Sequence, residues 1–269
     1  MRAFARSTTL PGVATMRDYY ARSLSGERLR RCYEIAPPRV RDYLEAEIRF
    51  VLERLRDRDI VLELGCGYGR VTTRLTEVAE RAVGIDTSEE SLSLARQLTA
   101  PSARCSFLKM DALNLSFEAS EFDKVVCVQN GISAFGVDQP SLLRQALRVT
   151  RAGGCALFST YSEGIWLDRL LWFEEQAAAG LVGEIDYERT GNGVIACKDG
   201  FRSGVVSRQE FESLGSELGL VPTITEIDES SVFCEFVVPD AAPRRLRCAV
   251  SIAGLRRIWR SRSRAVRPG

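Results

Sequence analysis

The segment Ile60-Val61-Leu62-Glu63-Leu64-Gly65-Cys66-Gly67-Tyr68-Gly69-Arg70 constrains this chain more than any other. Its first part is a short apolar run carrying one acid, the pattern of a strand buried on both faces of a parallel sheet. Glycine then occupies every second position, which lets the backbone turn sharply and come close to another molecule. Val71, Leu75 and Val78 follow at spacings that share one helical face, so a helix is expected from about Val71. Strand, glycine turn and helix together form a nucleotide-binding corner.

Which nucleotide it takes depends on the acid and on the glycine spacing. A dinucleotide corner uses G-x-G-x-x-G and directs a helix N-terminus at a pyrophosphate. Here the turn is G-C-G-Y-G, with Arg70 where the third glycine would be, and Glu63 precedes the first glycine by two residues. A carboxylate there repels pyrophosphate and suits a cationic ligand. "RAVGIDTSEESLSLAR" supplies a second strand, about Arg81 to Ile85, ending in Asp86 and followed by a helix from about Ser88. Asp86 stands where an acid accepts hydrogen bonds from both hydroxyls of a ribose. Asp86, Thr87 and Ser88 are also competent helix caps, and capping is compatible with ligand binding.

Further strands are expected at Arg104–Leu108, ending in Met110-Asp111-Ala112, at Lys124–Val128, opening into Gln129-Asn130-Gly131, and at Cys155–Thr160. The last follows a helix over Ser141–Val149. In open α/β sheets, chemistry collects beyond the carboxyl ends of such strands. In this order the motifs resemble the class I S-adenosylmethionine-dependent methyltransferases, closely over Asp59–Thr160 and loosely beyond. The resemblance implies a doubly wound, mostly parallel seven-stranded α/β sheet and S-adenosylmethionine as cofactor. It implies cofactor contacts from Glu63, Gly65, Cys66 and Gly67, with Asp86 and Thr87 at the ribose and Asp111 and Ala112 at the adenine. Gln129 and a lid residue, Tyr20, complete that set. Asn130 and Tyr161 are the candidate catalytic residues, expected to point toward the transferred methyl. The strand end lacks the Asn-Pro-Pro-Tyr or Asp-Pro-Pro-Tyr run of the family's base-methylating members, which argues for a small-molecule acceptor.

The remaining segments frame this core. Residues 1–15 hold Arg2 and Arg6 but no acid and read as a flexible arm, with Met16 opening the first structured segment. Residues 16–56 read as a helical lid, broken at Pro37-Pro38. Its earlier helix bears Tyr19, Tyr20 and Tyr33, and its later one has Leu44, Ile48, Val51, Leu52 and Leu55 at helical spacing. The catalytic domain is expected over 57–240. Beyond the fifth strand, Trp166, Leu170 and Phe173 mark a helix face. The turn signals "GNG" and "KDG" mark an inserted β-hairpin at about 184–206, covering the pocket or making a homodimer contact. Ser207-Arg208-Gln209-Glu210 is a capping box. "LVPTITEI" and "SVFCEFVV" close the sheet as an antiparallel pair.

Composition sets limits. No apolar run is long enough to span a bilayer, and a cytoplasmic protein without integral membrane association is expected. The eight cysteines form no C-x-x-C pair and there is no histidine, so no metal site is expected. Cys127 and Cys155 fall in buried strands; Cys66, Cys197 and Cys234 are the thiols that could meet a metalloid substrate. With +1 overall and nine arginines beyond Asp240, residues 1–240 carry a net −8. The basic tail, 241–269, keeps open an RNA or protein methyltransferase, although its apolar residues form no clean helical stripe. Two other readings are a non-catalytic cofactor-binding regulator and a nicotinamide oxidoreductase, the latter opposed by Glu63 and Arg70.

Overall fold

The computed structural model describes residues 19–20 and 22–240. The expected arm and basic tail, and residues 16–18 and 21 of the lid, lie outside the described residues. The described chain through Pro239 forms one compact unit. In order it contains α1 (Gly26–Glu34), α2 (Pro38–Leu52), β1 (Ile60–Leu64), α3 (Arg70–Leu75), β2 (Arg81–Asp86), α4 (Glu89–Leu98), β3 (Cys105–Lys109), β4 (Phe122–Cys127) and α5 (Gly131–Ala134). There follow α6 (Gln139–Val149), β5 (Thr150–Tyr161), α7 (Trp166–Ala178), β6 (Ile195–Ala196), β7 (Arg202–Ser203), α8 (Arg208–Glu217), β8 (Thr223–Ile227) and β9 (Ser231–Val237).

Seven strands form one sheet in the order β3-β2-β1-β4-β5-β9-β8. The first five are parallel, and β9 runs antiparallel to both β5 and β8. The expected fold class is therefore observed. Strand order reverses between β1 and β4, and the carboxyl ends of those two strands open a crevice there.

The apolar run of β1 is explained by burial on both faces. Leu62 and Leu64 join a core with Val83, Ile85, Val125 and Cys127 that α6 and α8 cover through Leu142, Ala146, Phe211 and Leu214. Val61 faces the opposite layer, with Val126, Leu157 and Phe233, under Ile48 and Val51 of α2 and Val71 and Leu75 of α3. A third cluster joins Tyr20, Tyr33, Tyr43 and Tyr161 to Trp172, Phe173, Ile195 and Phe201, binding the N-terminal helices, α7 and the hairpin together.

Local chemistry fixes the element ends. Ser88 caps α4 by accepting from the Ser91 N–H, and Ser207 and Glu210 complete a reciprocal capping box on α8. Helix α3 stops at Leu75, so Val78 packs from the following turn rather than from the helix. Tyr20 and Tyr33 are not on one helix, because Ser25 takes an extended conformation before α1 begins. On α7 the buried stripe is Arg169, Trp172, Phe173 and Gln176, while Trp166 and Leu170 pack only at its edge. The expected face of Trp166, Leu170 and Phe173 is rotated because an arginine joins the buried stripe.

Gly84 of β2 shows how tightly the corner is packed. A Cβ there would lie 2.5 Å from the Thr72 hydroxyl and 2.8 Å from the Cys66 Cβ. Gly84→Val should therefore force α3 off the sheet and destabilise the fold by about 1–3 kcal/mol, the usual cost of overpacking. Thermal and denaturant unfolding check this; a midpoint equal to that of the wild type would show that the gap accommodates the side chain.

Candidate functional site

Gly65, Gly67 and Gly69 all have positive φ, at 73°, 53° and 83°. The peptide N–H groups of Gly65 and Cys66 both donate to the Ile85 carbonyl at 2.9 Å, folding the turn over the end of β2. Asp86 completes the clamp. One carboxylate oxygen accepts from the Gly67 N–H at 2.9 Å and the other from the Ser88 N–H at 2.8 Å. A single side chain thus ties the glycine turn to the start of α4. Burial raises the Asp86 pKa, and its bonds to the Ser88 and Gly67 N–H groups oppose that rise.

Glu63 lies beneath the turn and is 4 % exposed. It accepts a short hydrogen bond from the Thr72 hydroxyl. Burial pushes its carboxyl up to about 7, against the opposing pull of Thr72 and the Arg70 guanidinium. Arg70 stacks over the Tyr33 ring at 4.7 Å, and its Nε and Nη2 are buried without hydrogen-bond partners. The next strand end is shaped by an Asx turn, in which Asp111 accepts from the Leu113 N–H at 3.0 Å. At the end of β4, Gln129 and Asn130 take consecutive left-handed conformations, with φ of 55° and 62°. Glu47 of α2 holds that turn by accepting the Gln129 N–H at 2.6 Å, and the Gln129 Nε2 has no partner.

One cavity of about 160 Å³ is lined by all ten residues that the sequence proposed for a cofactor: Tyr20, Glu63, Gly65, Cys66, Gly67, Asp86, Thr87, Asp111, Ala112 and Gln129. Its remaining wall includes Leu29, Tyr33, Arg70 and Phe135, which sequence reasoning did not place there. The Phe135 ring sits where a Gly65 Cβ would be, at 2.5 Å, and Leu29 crowds Gly67 at 2.9 Å. These two side chains reduce the space below the roughly 300–1,000 Å³ usual for ligand sites. Helix α1 is fastened over the turn by Ser25 and Gly26, which donate to Glu90 at 2.7 Å and to the Ser91 hydroxyl at 3.0 Å.

Residues 61–154 match the profile of a methyltransferase domain. Over 104 residues the chain is 36 % identical to the malonyl-[acyl-carrier protein] O-methyltransferase of Erwinia pyrifoliae, covering 39 % of this chain and 38 % of that protein. Over 102 residues it is 29 % identical to the ubiquinone biosynthesis O-methyltransferase of Stutzerimonas stutzeri, covering 37 % and 43 % of the two chains. The matched segment thus spans less than half the length of these relatives. Among solved structures, the N-methyltransferase NodS of Bradyrhizobium japonicum, in complex with S-adenosyl-L-homocysteine, superposes with a TM-score of 0.56. That match has 16 % identity and covers 84 % of this chain and all of that one. The PH0226 protein of Pyrococcus horikoshii gives the same score at 20 % identity, over 82 % and 97 % of the two chains. Residues 61–154 thus match a methyltransferase domain, and the whole sheet shares the fold of these structures.

The two residues expected to carry chemistry, Asn130 and Tyr161, are not in the cavity wall. Asn130 is 2 % exposed, and both ends of its amide are engaged. Its Nδ2 donates to the Gly204 carbonyl and its Oδ1 accepts from the Thr160 hydroxyl, each at 2.9 Å. The left-handed turn rotates the side chain into the protein, where it ties β4 to β5 and to the chain beyond the hairpin. Tyr161 lies in the aromatic cluster behind the cavity, between the Tyr43 ring at 5.2 Å and the Arg169 guanidinium at 4.1 Å. Cys66, Cys197 and Cys234 lie in three separate packing clusters and do not converge. No group of three or more potential metal-binding side chains occurs among the described residues.

Glu47, missed in the sequence because it sits on an otherwise apolar helix face, is wholly buried. Besides Gln129, it accepts from the Ser159 hydroxyl at 2.9 Å and from Ser231. Burial nonetheless pushes its carboxyl up to about 7, as for Glu63. An acid whose pKa rises on folding leaves the folded chain with more protons than the unfolded one between the two values. Stability then falls as pH rises through that window. The ligand-free protein should therefore lose thermal stability between about pH 4.5 and pH 7. Glu47→Gln should flatten part of that slope in a melting series across pH. A stability that rises through the window would contradict the assignment.

Proposed function

We propose that this chain binds S-adenosylmethionine in the cavity above β1 and β2 and transfers its methyl group to a small-molecule acceptor. The observation that carries the reading is the charge layout around the glycine turn. Acids stand on the strand ends, and the unpaired donors of Arg70 and Gln129 face the same space. A ligand that is part cation and part carboxylate, joined through a ribose, matches both sets. Glu63 suits the cationic centre, Asp86 the ribose hydroxyls and the Asp111–Leu113 turn the base. The buried Nε and Nη2 of Arg70 suit the carboxylate of an amino-acid tail, as a fixed fork of donors. Pyrophosphate would instead meet Glu63 and Asp86 as two repelling charges.

When bound, the cofactor supplies a methyl group on a sulfonium leaving group. The chain's own work is to hold the acceptor in line and to keep water out, and such positioning is worth about 7–11 kcal/mol in favourable cases. The aromatic wall of Tyr20 and Tyr33, with Leu24 and Leu29 of the N-terminal segment, provides the enclosure. Binding also requires the Phe135 ring and Leu29 to swing off the glycines. A small acceptor is supported by this enclosed wall and by relatives that are O-methyltransferases of ubiquinone biosynthesis and of a malonyl group on a carrier protein. Free thiols at all seven described cysteines are consistent with a cytoplasmic setting, and no described helix is long and apolar enough to cross a membrane.

Calorimetric titration with S-adenosylhomocysteine tests the site. The wild type should bind, and Asp86→Ala and Arg70→Met should each weaken binding by about 10- to 100-fold. That range corresponds to the loss of a hydrogen bond to a charged group, roughly 1.5–3 kcal/mol. Reduced nicotinamide dinucleotide should give no fluorescence change on mixing. Nicotinamide binding, or unchanged affinity in both variants, would overturn the reading.

A further inference from the structure

The ladder of β4 ends at Cys127, and the N–H groups that follow must find acceptors elsewhere. Gln129 donates its N–H to Glu47 Oε2 at 2.6 Å. That bond holds a segment of unusual geometry. Gln129 and Asn130 both have positive φ, which residues other than glycine adopt only when their surroundings enforce it. Asn130 is enforced through its amide, whereas the Gln129 Nε2 has no hydrogen-bond partner. The main-chain bond to Glu47 is therefore the tether of Gln129. Val128, Gln129, Gly131 and Phe135 line the cavity, so this turn forms one side of it, and Glu47 stands outside the wall.

Glu47 is fixed across the end of the sheet. It is fully buried on α2, and Ser159 of β5 and Ser231 of β9 donate to its oxygens. These partners differ in kind from Gln129. A hydroxyl both donates and accepts, and Ser231 lies 3.1 Å from the Thr160 carbonyl, where its proton can turn when the carboxyl is protonated. A peptide N–H only donates, and its bond to a carboxylate is about twice as strong as to a neutral oxygen. Burial pushes the Glu47 carboxyl up to about 7, and the Gln129 N–H draws it back down. Such coupling is reciprocal, so the ionised carboxyl holds the N–H more tightly than the neutral one.

Most groups facing Glu47 keep their charge through neutral pH. Burial raises the pKa of Tyr43 on α2, of Tyr161 on β5 and of Cys127 on β4, and all three stay neutral. Arg169 of α7 lies beyond Tyr161 and stays cationic. Glu63 of β1, whose charge also reaches Cys127, is the other acid pushed up to about 7. We propose that Glu47 is a positioning residue for the cofactor cavity, its charge locking the Gln129 turn and so setting the affinity for S-adenosylmethionine from outside the wall. The inference rests on the reading of the cavity as the cofactor site.

The test titrates S-adenosylhomocysteine by calorimetry into the wild type and Glu47→Gln at about pH 5.5, 7 and 8.5. Glu63 titrates in both proteins, so its effect cancels in the ratio of their dissociation constants. That ratio should grow from near unity at the lowest pH to about 5- to 10-fold at the highest, the gain of a charge-assisted bond over a neutral one. A ratio that stays constant with pH would make Glu47 merely structural and overturn the proposal. Amide hydrogen exchange of Gln129 in the ligand-free protein reads the turn without the cofactor. Its protection should rise about 5- to 10-fold over the same range in the wild type and stay flat in Glu47→Gln. Global stability changes in the opposite sense, so such a rise is local. A wild type that never binds S-adenosylhomocysteine overturns the cofactor reading, and exchange then decides the role of Glu47 in the turn. Flat Gln129 protection in the wild type overturns that role, even if the variant does not fold.

Discussion

The hydrogen bonds from Gly67 and Ser88 to the two oxygens of Asp86 are the contact on which the site depends. They join a turn that needs positive φ at three glycines to a helix start that needs a cap. A carboxylate does both because it has two acceptor oxygens and sits where β2 ends. Its desolvation is offset by N–H donors, so the acid can remain beside the cavity rather than retreat to solvent. The neighbouring strands inherit this arrangement: the Met110 N–H donates to the Asp86 carbonyl at 3.0 Å, which brings the Asp111 turn alongside.

The parts of the molecule that follow from periodicity were legible in the sequence. Strands β1, β2 and β4 are apolar runs because both faces are covered. Their ends coincide with acids or glycines because the chain must turn there. The family resemblance named the ten cavity residues, and all of them but Tyr20 lie at or just past a strand's carboxyl end, where a parallel sheet gives them one rim. What it did not give was the direction of a side chain within a turn. Asn130 and Gln129 are adjacent, yet one closes a network inside the protein while the other lines the cavity. The choice is made by two successive left-handed residues that no local pattern announces.

Charged residues were the second blind spot. Glu47 and Arg169 lie on amphipathic helices at positions where a hydrophobic count expects solvent or a neutral filler. Both are buried because distant segments supply partners: Ser231 of β9 for Glu47, and Gly193 and Ser203 of the hairpin region for Arg169. Such burial is a property of the tertiary assembly, invisible at any spacing along one helix. Both acids with strongly displaced pKa values, Glu47 and Glu63, hold turns that edge the cavity.

The rim of the cavity and the cluster behind it therefore rest on different physics. The first is built from strand ends and backbone N–H groups, which the sheet imposes on any sequence able to form it. The second is assembled where the hairpin region meets β4, β5 and α7. Thr160 donates to Asn130 and accepts the Val206 N–H at 3.0 Å, Asn130 holds the Gly204 carbonyl, and Arg169 holds Ser203 next to it. Four consecutive residues of that segment, Ser203 to Val206, include three tied by side chains from the sheet and from α7. Changing the hairpin would consequently reposition Arg169 first, and would reach the glycine turn through Tyr33, whose ring lies 5.9 Å from that of Tyr68 and under Arg70.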